Sequence, residues 1–315
     1  MIKLSAPSKT FLVGEYAALL GGPCLLLNTE PRFEAVIETE GSGECIGVHP
    51  QSPAGLWVRS HREDFSAINF EFRDPHEGRG GFGASGAQFL FAWAWSHMQS
   101  KPSLQQALSV DPKRVLADFL SFFSDQATPP SGADVVSQSV GGLLSLNLRP
   151  FSNQVFAWPF QQLDFLVVPT GVKLPTHSHL KTLNHEGLVR LRDLSSHVIS
   201  ALKQESETEF LTGLQNFANE LATQGKVASH TLSLLHELRS QDGVRLAKGC
   251  GAMGSDVVLV IVDKEKKQSV TSRLSELCKT PVADASMVSK GLSLRADLKV
   301  NADDHLDVDI SRSLL

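Results

Sequence analysis

A run of glycines that ends directly in an apolar segment constrains this chain more than any other feature. Residues 78–87 read Gly78-Arg79-Gly80-Gly81-Phe82-Gly83-Ala84-Ser85-Gly86-Ala87, and residues 88–98, rich in Ala, Leu, Phe and Trp, follow without a break. The apolar stretch predicts a buried helix, with Trp93 and Trp95 as packing residues, so the glycines form a loop that leads into a helix N-terminus. Such a loop aims several backbone N–H groups at one point, where the helix dipole adds about half a positive charge. Glycine lets the backbone approach an oxyanion closely and adopt positive φ. Gly81, Gly83, Ala84, Ser85, Gly86 and Ala87 are therefore a candidate phosphate cradle, and the Ser85 hydroxyl suits a phosphate or a Mg2+ ion. The alternatives are a surface loop with packing glycines and a Ser85 that only caps the helix. Neither the Walker spacing nor the dinucleotide fingerprint fits these residues.

The rest of the chain reads as α+β. Short strand-like runs occur at residues 9–13, 24–28, 33–38, 56–59 and 67–72, separated by Gly and Pro clusters. Asp111-Pro112 signals a helix start, and Val115, Leu116, Phe119, Leu120 and Phe123 then share one face. A buried strand is expected at 163–168 and helices across 177–241 with a turn at Gly225. A second glycine-bearing loop at 248–255 leads into a strand at 257–262, then a helix at 265–277 and strand character at 292–300. Strands followed by helices and then a mixture of both favour α+β over a doubly wound sheet. At 315 residues, two units are expected, 1–160 and 161–315.

Composition excludes some partners. There are 29 Lys and Arg against 34 Asp and Glu, a net charge of -5, so no basic field is available for nucleic acid or an anionic membrane. A small anionic substrate needs only a local cluster of cations. Cys24, Cys45, Cys250 and Cys278 form no C-x-x-C pair or zinc pattern. No apolar run approaches the ~18 residues of a membrane span, and the first residues show no leader pattern. A cytoplasmic monomer or homodimer is expected. The acidic residues Asp303, Asp304, Asp307 and Asp309 read as a solvated terminus.

Two further segments flank this pattern. Pro7-Ser8-Lys9 runs to Gly14-Glu15-Tyr16-Ala17, and Lys248-Gly249-Cys250-Gly251-Ala252-Met253-Gly254-Ser255-Asp256 lies near the other end. With the segment at 81–87, they resemble, in order, the three motifs of the GHMP kinase superfamily, P-G-K-x4-G-E-[HY]-A, G-L-G-S-S-[AG]-[AS] and K-x-x-G-A-G-G-G-[GD]. Tyr16, Ser85-Gly86-Ala87, Asp256 and the stretch from Asp164 to Leu180 resemble the phosphomevalonate kinase branch. Pro130-Ser131-Gly132-Ala133-Asp134 with Gly141-Gly142 is also similar to the mevalonate kinases, in which that Asp is the catalytic carboxylate. Ser8, Ala84, Met253 and Ser255 depart from the motifs, and a Met side chain in the third loop would narrow a phosphate site.

The resemblance implies the GHMP kinase fold, with two lobes and the active site in the cleft between them, and ATP with Mg2+ as the nucleotide pair. It makes Lys9 and Asp134 the catalytic candidates and adds Gly251, Ala252 and Gly254 to the nucleotide loops. For the substrate it points to Glu15, Tyr16, Arg79, His177, Ser178 and Lys181, with Ser85 toward the metal. A solvated lysine at a strand start and an Asp134 that caps a helix are the simpler alternatives. The implied reaction is phosphorylation of 5-phosphomevalonate. The rivals are mevalonate kinase and a non-catalytic homologue with a binding or regulatory role. The K-Y-W-G-K element of the related decarboxylases is absent from the sequence.

Overall fold

In the computed structural model, residues 1–99, 110–126, 128–171, 185–254, 256–278, 282–296 and 306–309 are described. The long antiparallel pair β1 (Ile2–Val13) and β2 (Cys24–Glu38) forms the spine of the first sheet. The first residues of β1 alternate between buried and partly exposed, but from Pro7 onward every residue is buried, so this half of the strand is covered on both faces. Pro7 cannot donate to the ladder, and the β1–β2 register shifts beside it, between Ala6 and Ser8. That irregularity brings Lys9 opposite Asn28.

After β2 come β3 (Cys45–Ile46) and two short helices, α1 (Pro53–Ser60) and α2 (Arg62–Phe65). The strand expected at 56–59 is thus part of α1. Ser52 caps it by accepting from the Gly55 N–H at 3.2 Å, Pro53 stands in its first turn, and Trp57 packs edge-on against Phe89. A run of three apolar residues, Leu56 to Val58, has no period long enough to separate strand from helix, so the cap decides. β4 (Asn69–Arg73) then pairs with the second half of β2.

Helix α3 (Ala84–Gln99) follows the glycine-rich loop and starts inside it, four residues earlier than the apolar run alone suggests. Phe89, Leu90, Phe91, Trp93 and Trp95 on it are buried, as expected for packing residues. The indole N–H groups of Trp93 and Trp95 donate to Asp118 and to the Asp64 carbonyl at 2.8 and 2.7 Å. α4 (Pro112–Ser121) begins at the expected cap, with Asp111 accepting from the Lys113 N–H at 2.9 Å. α5 (Ala133–Val140) is followed by the hairpin β5 (Leu143–Leu148) and β6 (Phe151–Phe156), and β5 pairs with the first half of β2.

β7 (Leu163–Pro169) opens the second sheet. Three helices follow: α6 (His185–Lys203), α7 (Glu207–Thr223) and α8 (Ser229–Arg239), with Gly225 in the turn between α7 and α8. β8 (Val244–Cys250), β9 (Val257–Asp263), α9 (Lys267–Cys278) and β10 (Ala283–Asp284) complete this region, in the antiparallel order β10-β7-β9-β8. Lys248 and Cys250 therefore belong to a strand, and the third loop starts at Gly251. β11 (Ser293–Ala296) returns to the first sheet beside β1, with β12 (Leu306–Asp309) outside it. No helix among the described residues is long and apolar enough to cross a membrane.

Candidate active site

The site forms where β1, the start of α3 and the start of α5 meet. The Lys9 N–H donates to the Phe82 carbonyl at 2.9 Å, which fastens the glycine-rich loop to the strand beside the lysine. The Lys9 ammonium lies 3.4 Å from Asp134 Oδ2 and 4.9 Å from the centre of the Phe11 ring. Lys9 is largely buried, but the Asp134 side chain is 40% exposed, so the pair opens toward solvent through the carboxylate. Asp134 does not cap α5. Gly132 holds that position with a φ of 73°, and Asp134 sits within the first turn, free to face Lys9.

The Ala87 N–H donates to the Gly83 carbonyl at 3.0 Å and closes the first turn of α3. Helix geometry then leaves the N–H groups of Ala84, Ser85 and Gly86 without an intrahelical acceptor. Ser85 is exposed at this end. Gln138 on α5 braces the loop from behind. It is fully buried, and its Nε2 donates to the Pro7 carbonyl at 2.9 Å. Its Oε1 has no partner among the described residues. A Cβ on Gly83, whose φ is +95°, would meet this amide at 2.9 Å and Lys9 Cγ at 3.1 Å.

His76 braces the other flank. Its ring stacks on Phe82 at 3.6 Å and 4°, and Nε2 meets Ser8 Oγ at 2.6 Å, while Ser8 donates to the Pro31 carbonyl at 2.6 Å. Because the single Ser8 hydroxyl proton goes to Pro31, Nε2–H is the donor in the imidazole–serine contact. Burial lowers the His76 pKa to about 4, so the ring is neutral near pH 7. The Ser8 hydroxyl that replaces a motif glycine is therefore bonded to Pro31 and His76. Arg79 stands at the lip of the loop, ion-paired with Glu77 at 2.8 Å.

The third loop joins from the second sheet. A Cβ on Gly81 would fall 2.8 Å from Asp256 Cβ and from Val257 Cγ1, so the two glycine loops touch. Met253, half-buried, takes left-handed angles of φ 54° and ψ 27° where the motif has glycine. Its main chain is held on two sides, by a hydrogen bond with Tyr16 and by the Ala228 N–H donating to its carbonyl at 2.9 Å. Burial raises the pKa of the Tyr16 phenol and keeps it neutral. Glu15 Oε1 accepts from the Lys248 ammonium, an ion pair in which both side chains are buried. Burial alone would lower the Lys248 pKa, and the neighbouring Cys250 sulfur together with the Glu15 carboxylate reverses this, so the amine stays charged.

The structure thus gathers Lys9, Asp134 and residues 81–87 at one place, brings Gly251 and Gly254 in from the second sheet, and buries Glu15 and Tyr16 beneath the third loop. His177, Ser178, Lys181 and Ser255 lie outside the described residues. His76, Gln138 and Lys226 are neighbours of the site that the sequence did not single out. Their partners lie on distant segments of chain, and no local spacing marks them.

Neither a family model nor a curated protein sequence matches the chain. Solved structures do. Phosphomevalonate kinase from Streptococcus pneumoniae superposes with a TM-score of 0.71 at 17% identity, over 91% of this chain and 99% of that one. The same enzyme in complex with phosphomevalonate and AMPPNP gives a TM-score of 0.70 at 17% identity, over 88% and 97%. Mevalonate kinase from Methanococcus jannaschii gives 0.70 at 15% identity, over 91% and 98%. At such identities the likeness is one of architecture: the chain is an α+β protein with the GHMP kinase fold.

Proposed function

We propose that the chain is a small-molecule kinase that transfers the γ-phosphoryl group of ATP to 5-phosphomevalonate. The observation that carries this reading is the hydrogen bond between the Lys9 N–H and the Phe82 carbonyl, which keeps the Lys9–Asp134 pair beside the open N-terminus of α3. Three N–H groups and a helix dipole suit the polyphosphate. An ammonium next to them suits the transferred group, whose charge builds on its equatorial oxygens. The likeness to a phosphomevalonate kinase that binds phosphomevalonate and AMPPNP supports the choice of acceptor.

Among the described residues there is no cluster of three or more His, Cys, Asp or Glu suited to a metal. Mg2+ keeps most of its water and phosphate ligands and needs few protein oxygens. The Ser85 hydroxyl and the exposed Asp134 carboxylate are the side-chain oxygens that would hold it, and bound Mg2+ would neutralise polyphosphate charge. Lys9 draws the two anions together and Asp134 keeps its ammonium oriented.

One observation favours a second reading, mevalonate kinase. A phosphate monoester has a second pKa near ~6 and needs no base, whereas an alcohol does. The Asp134 carboxylate, open to solvent and 3.4 Å from Lys9, is placed to accept such a proton. A coupled ADP-release assay with mevalonate, 5-phosphomevalonate and diphosphomevalonate tests both. Turnover with 5-phosphomevalonate is expected. Turnover with mevalonate instead selects the second reading, and turnover with none despite ATP binding selects a non-catalytic homologue.

A further inference from the structure

We propose that Lys226 anchors an anionic end of the acceptor, a carboxylate or a phosphate, at the third loop. This rests on the kinase reading above and adds a recognition residue to it. Three lysines are buried among the described residues: Lys9, Lys226 and Lys248. Lys9 faces Asp134 and Lys248 faces Glu15. For Lys226, 7% exposed, no carboxylate among the described residues lies within ion-pair distance, and its ammonium rests over the Tyr16 ring, 5.1 Å from the centre. A buried cation with only an aromatic face for company is left undersolvated, and burial lowers its pKa accordingly. A bound oxyanion supplies the missing counter-charge and returns the pKa upward.

The surroundings favour the same ligand. Lys226 lies two residues before the N-cap of α8, Ala228, which offers no side-chain cap, and the first turn of α8 carries no acidic residue. The first intrahelical bond runs from the Leu232 N–H to the Ala228 carbonyl at 3.0 Å. The N–H groups of Ser229, His230 and Thr231 therefore have no intrahelical acceptor, and the positive end of the helix dipole adds to the ammonium. The Ala228 N–H holds the Met253 carbonyl, and Tyr16 holds the same residue's main chain.

Lys226 and the polyphosphate cradle meet the third loop at different residues. Gly81 meets the third loop at Asp256, whereas Lys226 reaches it through Tyr16 and Met253. The polyphosphate has Lys9 and the start of α3 on the Gly81 side. The cation on the Met253 side is left for the acceptor, whose charged end away from the reacting oxygen must be held while that oxygen faces ATP.

The test compares wild type with Lys226→Met, which keeps the stem and removes the charge, and Lys226→Arg, which keeps the charge. Steady-state kinetics with 5-phosphomevalonate and with mevalonate should show the acceptor KM of Lys226→Met rising at least ~10-fold, the scale of one charge-assisted contact. The ATP KM should stay within about twofold, and Lys226→Arg should recover most of the loss. Without ligand, Lys226→Met should melt no lower than wild type, because an uncompensated charge has been removed. A rise in the ATP KM alone, or no change in either KM, overturns the proposal. Wild type that transfers to neither acceptor defeats the kinase reading by itself. Calorimetric titration of the same two compounds then decides Lys226: binding lost in Lys226→Met supports the anchor, and binding unchanged or undetectable in wild type overturns it.

Discussion

The backbone of Lys9 and the backbone of Phe82 share a hydrogen bond of 2.9 Å, so the strand that carries the ammonium and the loop that opens α3 cannot move independently. The relationship is made by main chain, with Ser8–His76 on one flank and Gln138 on the other. It fixes the distance between cation and helix terminus before any ligand arrives, which is the preorganisation that phosphoryl transfer needs.

Removing the cation should therefore affect chemistry more than folding. Lys9→Met is expected to reduce kcat by at least ~10²-fold, the usual scale for one preorganised charge donor. Asp134→Asn should cost more with an alcohol acceptor than with a phosphate one, because only the alcohol must lose a proton. Paired kcat measurements on mevalonate and 5-phosphomevalonate check both, and near-normal turnover by a folded Lys9→Met protein would take Lys9 out of the chemistry.

Gly83 is a position where the loop has no room for a side chain. Its φ is +95°, and an added Cβ would press on the Gln138 amide at 2.9 Å and on Lys9 Cγ at 3.1 Å. Gly83→Ala is expected to cost about 1–3 kcal/mol of stability from backbone strain and displaced neighbours. It should also raise the ATP KM, because the displaced neighbours are the ones that hold the cradle. Gly78 has a similar φ of +80° with nothing within 4 Å of the added atom, so Gly78→Ala should cost only the roughly 1–2 kcal/mol of the left-handed backbone and leave the ATP KM unchanged. Denaturant melts with parallel ATP kinetics on the two variants separate crowding from strain.

This contrast also shows what could be read from sequence. The loop, the helix after it and the cap at Asp111 were legible because their signals are local: glycine content, apolar run and Asp-Pro spacing. The α1 segment was not, since the apolar run Leu56 to Val58 fits either period and the deciding Ser52 cap is a single atom's contact. The contact between Lys9 and Asp134 joins residues 125 positions apart, and it was anticipated only through the motif resemblance. Gln138, His76 and Lys226 had no such guide. Each is an ordinary polar residue in its own segment and matters only for what β1 or the third loop places against it.

His76 gives the flank of the loop a pH dependence. Its pKa in the folded protein, lowered by burial to about 4, lies below the ordinary value of 6.5. The unfolded chain therefore takes up a proton as pH falls through 6.5, while the folded protein resists until about 4. This contribution is complete above pH 6.5 and is lost as pH falls toward 4, by up to about 3 kcal/mol. His76→Phe keeps a ring to stack on Phe82 and removes the titration. The variant should show a flatter fall in denaturant midpoint between pH 6.5 and 4, with a raised ATP KM at pH 7 because Ser8 keeps Pro31 but loses the imidazole donor. Equal slopes in both proteins would mean that the ring titrates normally.

The Glu15–Lys248 pair ties the first motif to the third across the two sheets, and its burial sets the expected result of cutting it. Lys248→Met leaves the Glu15 carboxylate buried without a cation, and Glu15 Oε2 already has no partner among the described residues. The loss should be about 3–5 kcal/mol, the scale for breaking a buried pair from one side. The double variant Glu15→Gln with Lys248→Met removes both charges and should recover much of it, because taking two ions out of water opposes folding as strongly as their attraction favours it. A double-mutant cycle by denaturant melting measures that coupling. Single variants whose losses simply add would show that each charge finds solvent when its partner goes. The two motifs would then be held together by the packing around Tyr16 and Cys250, with no electrostatic tie between them.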